Sequence, residues 1–310
     1  MKIAILGATS QIASDLVKSM SDAGRHELYL YARRPSALQL QPSAHAVTAV
    51  VHAGDYSSFD VNYEFDALIN FVGVGNPAAA AQVGAEIFDA TLKFDQLALS
   101  YVQLHPQCRY IFLSSGAAYG GGFIKPVDND SVATTPINNL TPQDWYGTAK
   151  LHAECRHRAY YNLPIFDIRI FNYFSASQNL DARFFICDIL RAIRSKSILK
   201  TSAQNIFRDY LHPCDFHNLI EAVLNSSANN DVIDAYSLSP VDKFSLLDRM
   251  HRQLELRFEI VEDSVVINAT GVKTHYYSLN TRASKYGYVP QLTSIEGVIK
   301  ESEILLNVSQ

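Results

Sequence analysis

Long apolar runs, paired cysteines, blocks of one charge and low-complexity stretches are all missing from this 310-residue sequence. No run approaches the ~20 apolar residues of a membrane-crossing helix, so no membrane partner is expected. Cys108, Cys155, Cys187 and Cys214 lie far apart and form no Cys-x-x-Cys pair, which reads as a reduced, cytosolic chain. The ten histidines are scattered without a metal-site spacing, and no metal is expected. No Lys/Arg-rich run is present and the formal net charge is −5, which argues against a nucleic-acid partner. The apolar run Ile3-Ala4-Ile5-Leu6 after Lys2 is too short for the core of a secretion signal, so the expected location is cytoplasmic. What remains is ordinary: 48% hydrophobic and 18% charged residues, a globular composition long enough for one large or two modest domains.

Glycine is sparse where a nucleotide-binding turn would want it. Lys2-Ile3-Ala4-Ile5-Leu6 reads as a buried parallel strand, followed by Gly7-Ala8-Thr9-Ser10-Gln11-Ile12-Ala13 and a helical pattern with Ile12, Leu16, Val17 and Met20 on one face. Strand, tight turn and helix form the context in which free helix N–H groups meet a pyrophosphate. Gly7, Thr9, Ser10, Gln11 and Ile12 are therefore candidate cofactor contacts. The usual motif has glycine where Ser10 and Ala13 stand; Ala13 is small enough for close helix–strand packing, and the Ser10 hydroxyl offers phosphate a contact instead of the closest backbone approach.

An acid is also absent where the second strand, Glu27-Leu28-Tyr29-Leu30-Tyr31, gives way to Ala32-Arg33-Arg34-Pro35. NAD sites carry a carboxylate there for the ribose 2′-hydroxyl, whereas arginine accommodates a 2′-phosphate. Arg33 and Arg34 thus point to NADP(H) in preference to NAD(H). A third apolar run, 46–51, leads to Gly54-Asp55-Tyr56, where Asp55 either accepts from the adenine amino group or serves as a turn aspartate, and Tyr56 joins the candidate contacts. The fourth strand ends in Phe71-Val72-Gly73-Val74-Gly75-Asn76-Pro77, a glycine-rich lip for the cofactor ribose or a plain turn; Phe71, Val72 and Gly73 are the candidates there. A helical pattern follows over about 80–102.

The fifth strand, Arg109-Tyr110-Ile111-Phe112-Leu113, opens into Ser114-Ser115-Gly116-Ala117-Ala118-Tyr119-Gly120. Strand carboxyl ends form the ligand crevice of a doubly wound sheet, so a serine there either binds a substrate oxygen or satisfies local backbone groups. In the run Asp144 to Glu154, Tyr146 and Lys150 are four apart and share one face of a helix. A tyrosine in water titrates near 10, roughly, and a neighbouring cation lowers that toward the working range of an acid–base catalyst. The bland alternative is a surface helix with an amphipathic tyrosine and a solvated lysine.

With these residues in hand, the sequence resembles the extended short-chain dehydrogenase/reductase family, the NAD-dependent epimerase/dehydratase type, nearly end to end. The resemblance rests on Gly7-Ala8-Thr9-Ser10, on Ser114 to Gly120, on Tyr146 with Lys150, on Arg169-Ile170-Phe171-Asn172-Tyr173 and on Arg208-Asp209-Tyr210-Leu211-His212-Pro213-Cys214-Asp215. It implies an α/β fold: a Rossmann-type doubly wound parallel sheet with a smaller C-terminal substrate-binding lobe. The cofactor domain would be 1–172, completed by about 205–238, and the lobe 173–204 with 239–310. Counting back four from Tyr119 selects Ser115 over Ser114 as the carbonyl-binding hydroxyl, giving a Ser115, Tyr146, Lys150 triad in which Lys150 also binds the nicotinamide ribose. Phe171 and Tyr173 would lie at the nicotinamide. Ser115, Gly116, Tyr119, Asn172, Arg183 and Arg208 would line the nucleotide-sugar site, with Arg208 clamping the diphosphate or merely pairing with Asp209.

The resemblance also implies a choice of reaction. Dehydratases of this type place an Asp-Glu pair directly after the triad hydroxyl; Gly116 and Ala117 stand here. An epimerase retains one NAD, whereas the arginine pair suits a reductase drawing on NADPH. The expected activity is NADPH-dependent reduction of a nucleotide-linked 4-keto-6-deoxyhexose for surface polysaccharide biosynthesis. A nucleotide-sugar epimerase and a non-catalytic NADP(H) sensor are the alternatives. A homodimer through helices near 85–102 and 146–161 is implied as well.

In the C-terminal third, helices are expected over 181–193, 216–224, 244–254 and 295–306, and a short strand over 232–236. Phe184 and Phe185 either approach the nucleotide base or pack in the core. Asp209, His212 and Asp215 read as turn and cap chemistry.

Overall fold

A computed structural model describes residues 1–38, 50–73, 83–261 and 273–307. Its centre is a parallel sheet of β1 (Lys2–Leu6), β2 (Glu27–Tyr31), β3 (Val51–Gly54), β4 (Ala67–Asn70), β5 (Arg109–Ser115), β6 (Ile165–Ile170) and, after four short strands introduced below, β11 (Asp231–Asp234). The order β3-β2-β1-β4-β5-β6-β11 reverses direction between β1 and β4. That reversal opens a crevice outside the strand carboxyl ends, where doubly wound sheets bind ligands. The Rossmann-type fold expected from the sequence is the one observed.

The sheet is held because its strands are apolar on both faces; Ile3, Ala4, Ile5 and Leu6 have no exposed surface at all. Helix α1 (Gln11–Ala23) covers one face with Ala13, Leu16, Val17 and Met20, and ends at Gly24, whose left-handed backbone lets its N–H reach Met20 and Ser21. The opposite face is covered by α2 (Glu86–Leu104) and α3 (Pro142–Ala159), which pack side by side. The start of α3 is written in Thr141-Pro142-Gln143-Asp144: proline at the first helical position, and the Asp144 carboxylate accepting from the Thr141 N–H at 2.9 Å and its hydroxyl at 2.7 Å.

The remaining elements are β7 (Asn172–Tyr173), α4 (Phe185–Arg194), β8 (Ile198–Ser202), β9 (Phe207–Arg208), β10 (Tyr210–Leu211), α5 (Pro213–Asn225), β12 (Val241–Asp242), α6 (Lys243–Leu254), β13 (Arg257–Val261), β14 (His275–Tyr276) and α7 (Ser294–Asn307). A second apolar core joins Phe174, Leu180, Ile186, Ile189, Leu190, Leu246, Leu247, Met250 and Val298, drawing on α4, α6 and α7. Ala283 and Tyr288 pack instead into the core of the large sheet, and Arg282 donates to Asp231 of β11 at 2.7 Å. Among the described residues no helix is long and apolar enough to cross a membrane.

Several boundaries differ from the sequence pattern. The third strand is displaced to Val51–Gly54, with 46–49 of the predicted run outside the described residues. Helix α2 begins at Glu86 rather than near 80, and 80–82 also lie outside them, as do 74–77 of the lip. Helix α4 begins at Phe185 rather than 181 because Phe184 is extended at φ −114° and ψ 146°, where an apolar periodicity carries no signal of the turn before it. Both Phe184 and Phe185 pack on the second core.

Candidate active site

The crevice floor is the turn after β1. Gly7 has φ +78°, and a Cβ there would lie 2.9 Å from the Val72 amide nitrogen, so the residue must be glycine for two reasons. Helix α1 opens with no acid in its first turn, leaving its amide groups and positive dipole end uncompensated. Ser10 caps it by position but makes no side-chain cap, and its buried hydroxyl has no partner among the described residues. An unsatisfied buried hydroxyl beside a free helix N-terminus fits a dinucleotide pyrophosphate. Gln11 reaches across to Ser175 at 3.0 Å, Ile12 packs on the core, and Thr9 is exposed.

At the end of β2, Arg33 and Arg34 are exposed and no described carboxylate pairs with them. Burial pushes the Tyr56 phenol up, while the Gly7 amide and Arg33 pull the other way. The Asp55 carboxylate accepts from the Ser57 N–H at 2.9 Å and its hydroxyl at 2.6 Å, both through the one oxygen Oδ1, which serves the local turn. At the neighbouring strand end, Phe71 stands edge-on to Phe216, and the Val72 N–H donates to Asn70 at 2.9 Å. A Cβ on Gly73 would come within 3.3 Å of the Lys150 ammonium, so this lip and α3 meet at Lys150.

Helix α3 lies unusually close to the turn Gly116–Tyr119 because a Cβ at Gly147 would overlap the Ala117 carbonyl. That approach brings Tyr146 to Ser115, at the end of β5. Burial pushes the Tyr146 phenol up, and its hydrogen bond with Ser115 pulls it back down. The Lys150 ammonium donates to the Leu113 carbonyl at 2.7 Å and stands 4.4 Å from the centre of the Phe112 ring. Burial lowers it to about 8, against the pull of Glu154, Asp95 and Asp167. The sequence predicts that Lys150 tunes the Tyr146 phenol; here the ammonium is bonded to the Leu113 carbonyl, and the group that pulls the phenol down is Ser115.

The two adjacent serines part ways. Ser114 donates to Glu154, which binds Arg169, while Ser115 accepts from the Ala117 N–H at 3.2 Å. Arg169 lies 4.1 Å from the centre of the Tyr119 ring, and the Tyr119 hydroxyl donates to Asp234 at 2.9 Å. Tyr119 therefore spends its hydroxyl in a buried network and offers the cleft only its ring. A Cβ at Gly116 would overlap the Phe171 ring, so this glycine makes room for the aromatic wall of Tyr119, Phe123, Phe171 and Tyr276. Asn172 donates to the Asp209 and Tyr276 carbonyls at 3.2 and 3.3 Å, and Tyr173 donates to Asp15 of α1 at 2.9 Å.

Arg208 is not paired with Asp209, which accepts from Ser237 and Ser294. It donates to the Phe207 carbonyl at 2.8 Å, and burial lowers its pKa. Arg183 is exposed just before α4, and no described contact brings it to the cleft. Two residues without a sequence signal complete the site. Lys273 stands 4.6 Å from the centre of the Tyr276 ring; burial first, then Arg208, lower it to about 8 against the pull of Asp144. Tyr276 reaches Ser115 itself, with 3.3 Å between the hydroxyls. Its place comes from β14 pairing with β9, which sets Tyr276 beside Arg208, and no local pattern in the sequence encodes that register.

A Rossmann-type sheet with a serine, a tyrosine and a lysine gathered at its carboxyl edge defines an enzyme of the extended short-chain dehydrogenase/reductase type. The sequence model of the NAD dependent epimerase/dehydratase family matches residues 3–238, and the chain belongs to that family. A comparison with curated protein sequences finds no match. Among solved structures, MoeE5 in complex with UDP-glucose and NAD is similar at 18% identity and a TM-score of 0.79, with 100% of each chain covered. The UDP-glucuronic acid 4-epimerase of Bacillus cereus, in complex with UDP-glucuronic acid and NAD, is similar at 15% identity and a TM-score of 0.75, over 99% of this chain and 100% of that one. The UDP-glucose 4-epimerase of Thermotoga maritima shares 14% identity at a TM-score of 0.77, with 100% of each chain covered.

Proposed function

We propose that this protein reduces the 4-keto group of a nucleotide-linked 4-keto-6-deoxyhexose, with NADPH as the reductant. The observation that carries the reading is the close packing of α3 on the turn after β5, where Gly147 meets the Ala117 carbonyl and Tyr146 stands by Ser115, one helical turn from Lys150. The nicotinamide, when bound, supplies a hydride to the ketone carbon. Ser115 holds the ketone oxygen by a hydrogen bond, and Tyr146 gives that oxygen its proton. A phenol kept neutral by burial is in the state that donation requires. Lys150, which lies beside Gly73, would hold the nicotinamide ribose.

The binding residues fit the same reading. The Gly7 turn, Ser10 and the α1 amides would take the pyrophosphate, and Arg33 with Arg34 the 2′-phosphate. Arg208 and Lys273 are both desolvated and repel one another, which a polyanion between them relieves; the sugar-linked diphosphate is that group. Gly116 and Ala117 leave no acid–base pair for elimination after Ser115. The lobe built on the second core would seat the nucleotide, and two copies would associate through α2 and α3, where Leu92 and the adjoining Tyr161 are exposed. The product, a nucleotide deoxysugar, is the form in which a sugar enters surface polysaccharide.

Loss of NADPH and NADH absorbance against a panel of nucleotide-linked 4-ketohexoses tests the proposal. Consumption of NADPH by a 4-keto substrate is expected, and none by any member of the panel contradicts it. A nucleotide-sugar 4-epimerase is the second reading, favoured by the epimerases among similar structures described with NAD. Cofactor that survives gel filtration, with substrate and product interconverting at no net NADPH cost, identifies it.

A further inference from the structure

Ser115 does not face Tyr146 alone. The parallel register of β14 on β9 carries the Tyr276 ring to the aromatic wall, edge-on to Phe123 at 4.8 Å between centres and tilted on Phe171 at 5.3 Å. Its oxygen then lies 3.3 Å from the Ser115 hydroxyl, which also accepts from the Ala117 N–H at 3.2 Å. A serine hydroxyl has one proton and two lone pairs. Where the Tyr276 O–H takes the second lone pair, the single Ser115 proton is left to point into the cleft, at the Tyr146 oxygen in the absence of substrate and at the ketone oxygen when one is bound.

We propose that Tyr276 is a positioning residue of this site: it donates to Ser115, fixes the direction of the Ser115 proton and, through it, favours the Tyr146 phenolate. The inference rests on Tyr146 being the group that exchanges a proton with the substrate oxygen. Tyr276 and Ser115 both keep their own protons throughout, so only Tyr146 changes state. Burial pushes the Tyr276 phenol up, which keeps it a donor over the range in which Tyr146 titrates. Of the charged groups nearby, Arg208 on β9 acts on Tyr276, Lys273 just before β14 stands 4.6 Å from its ring centre and is itself acted on by Asp144 of α3, and Lys150 lies one turn from Tyr146 on α3.

Tyr276→Phe removes the donor and leaves the ring in its packing. Titrating the Tyr146 resonance in tyrosine labelled with carbon-13 at Cζ, assigned by its loss in Tyr146→Phe, reads the effect without any substrate. The Tyr146 midpoint is expected to rise by about half a pH unit or more, and the same substitution made on Ser115→Ala to leave it unmoved. Turnover is expected to fall by about threefold to tenfold at unchanged cofactor KM, with the pH–rate limb moving in step. An unchanged Tyr146 midpoint in Tyr276→Phe overturns the proposal. So does a midpoint shift that persists in the Ser115→Ala background, since it does not pass through Ser115. A shifted midpoint in a protein that reduces no nucleotide sugar sustains this role and defeats the proposed substrate instead.

Discussion

Lys150 donates to the Leu113 carbonyl at 2.7 Å, and among the described residues no hydrogen bond joins it to Tyr146, one turn earlier on α3. The ammonium ties the helix to the strand that ends in Ser115, so its first task is to hold the two hydroxyl-bearing elements in register. In the cofactor-free protein, Lys150→Met is expected to leave the Tyr146 titration midpoint nearly unchanged, whereas Ser115→Ala raises it. Labelled-tyrosine NMR distinguishes the two. Turnover of Lys150→Met should nonetheless fall by about 100-fold or more, because the ribose contact and the register are lost together.

Gly147 is the second element of that register. Adding a methyl group in Gly147→Ala forces α3 away from the Ala117 carbonyl. The strain is expected to cost about 1–3 kcal/mol of stability by urea unfolding. Turnover should fall far more than that loss of folded protein explains, because Tyr146 moves off Ser115 with the helix.

Cofactor choice is predicted to sit in Arg33 and Arg34. Replacing both with serine removes the cations that meet a 2′-phosphate and should raise the KM for NADPH by about tenfold or more, leaving that for NADH within about twofold. Steady-state kinetics with both cofactors measures it. Equal effects on the two would place the arginines outside the cofactor site.

A buried histidine governs stability at alkaline pH. His157 bridges Asp167 and Asp95 at 2.6 Å each; burial opposes its charge, but the two carboxylates outweigh it and push it up to about 9. Between the unfolded value of 6.5 and about 9, the native protein holds a proton that the unfolded chain has released, so stability falls with rising pH. Below that window the contribution is complete. Lys150 and Lys273 act with the opposite sign above about 8, which leaves pH 6.5 to 8 to His157 alone among these three. Urea midpoints should decline across that interval in the wild type. His157→Gln should lose the decline and cost about 1–3 kcal/mol, because Asp95 and Asp167 lose the cation they share but keep Arg156 and Arg158.

The sequence made the architecture legible because periodicity and punctuation are local. A buried run, Gly7 and an amphipathic helix announce the first βαβ half, and the spacing of Tyr146 and Lys150 announces a shared face. Spacing does not say what a side chain finds there: the Leu113 carbonyl that captures Lys150 belongs to another element, as does the Asp234 that takes the Tyr119 hydroxyl. Tyr276 and Lys273 were illegible for the same reason, since only the pairing of β14 with β9 brings them to Ser115 and Arg208. Asp55, open between adenine contact and turn, has its carboxylate engaged by Ser57, a neighbour two residues along that the pattern of apolar residues does not weigh.

The most direct measurement of the central claim is single-turnover oxidation of NADPH by a nucleotide-linked 4-ketohexose, in the wild type and in Tyr146→Phe. The wild type is expected to consume one NADPH per ketone reduced, and the variant to slow by about 100-fold to 10,000-fold while still binding cofactor and sugar nucleotide. A Tyr146→Phe protein that reduces the ketone at the wild-type rate contradicts the account.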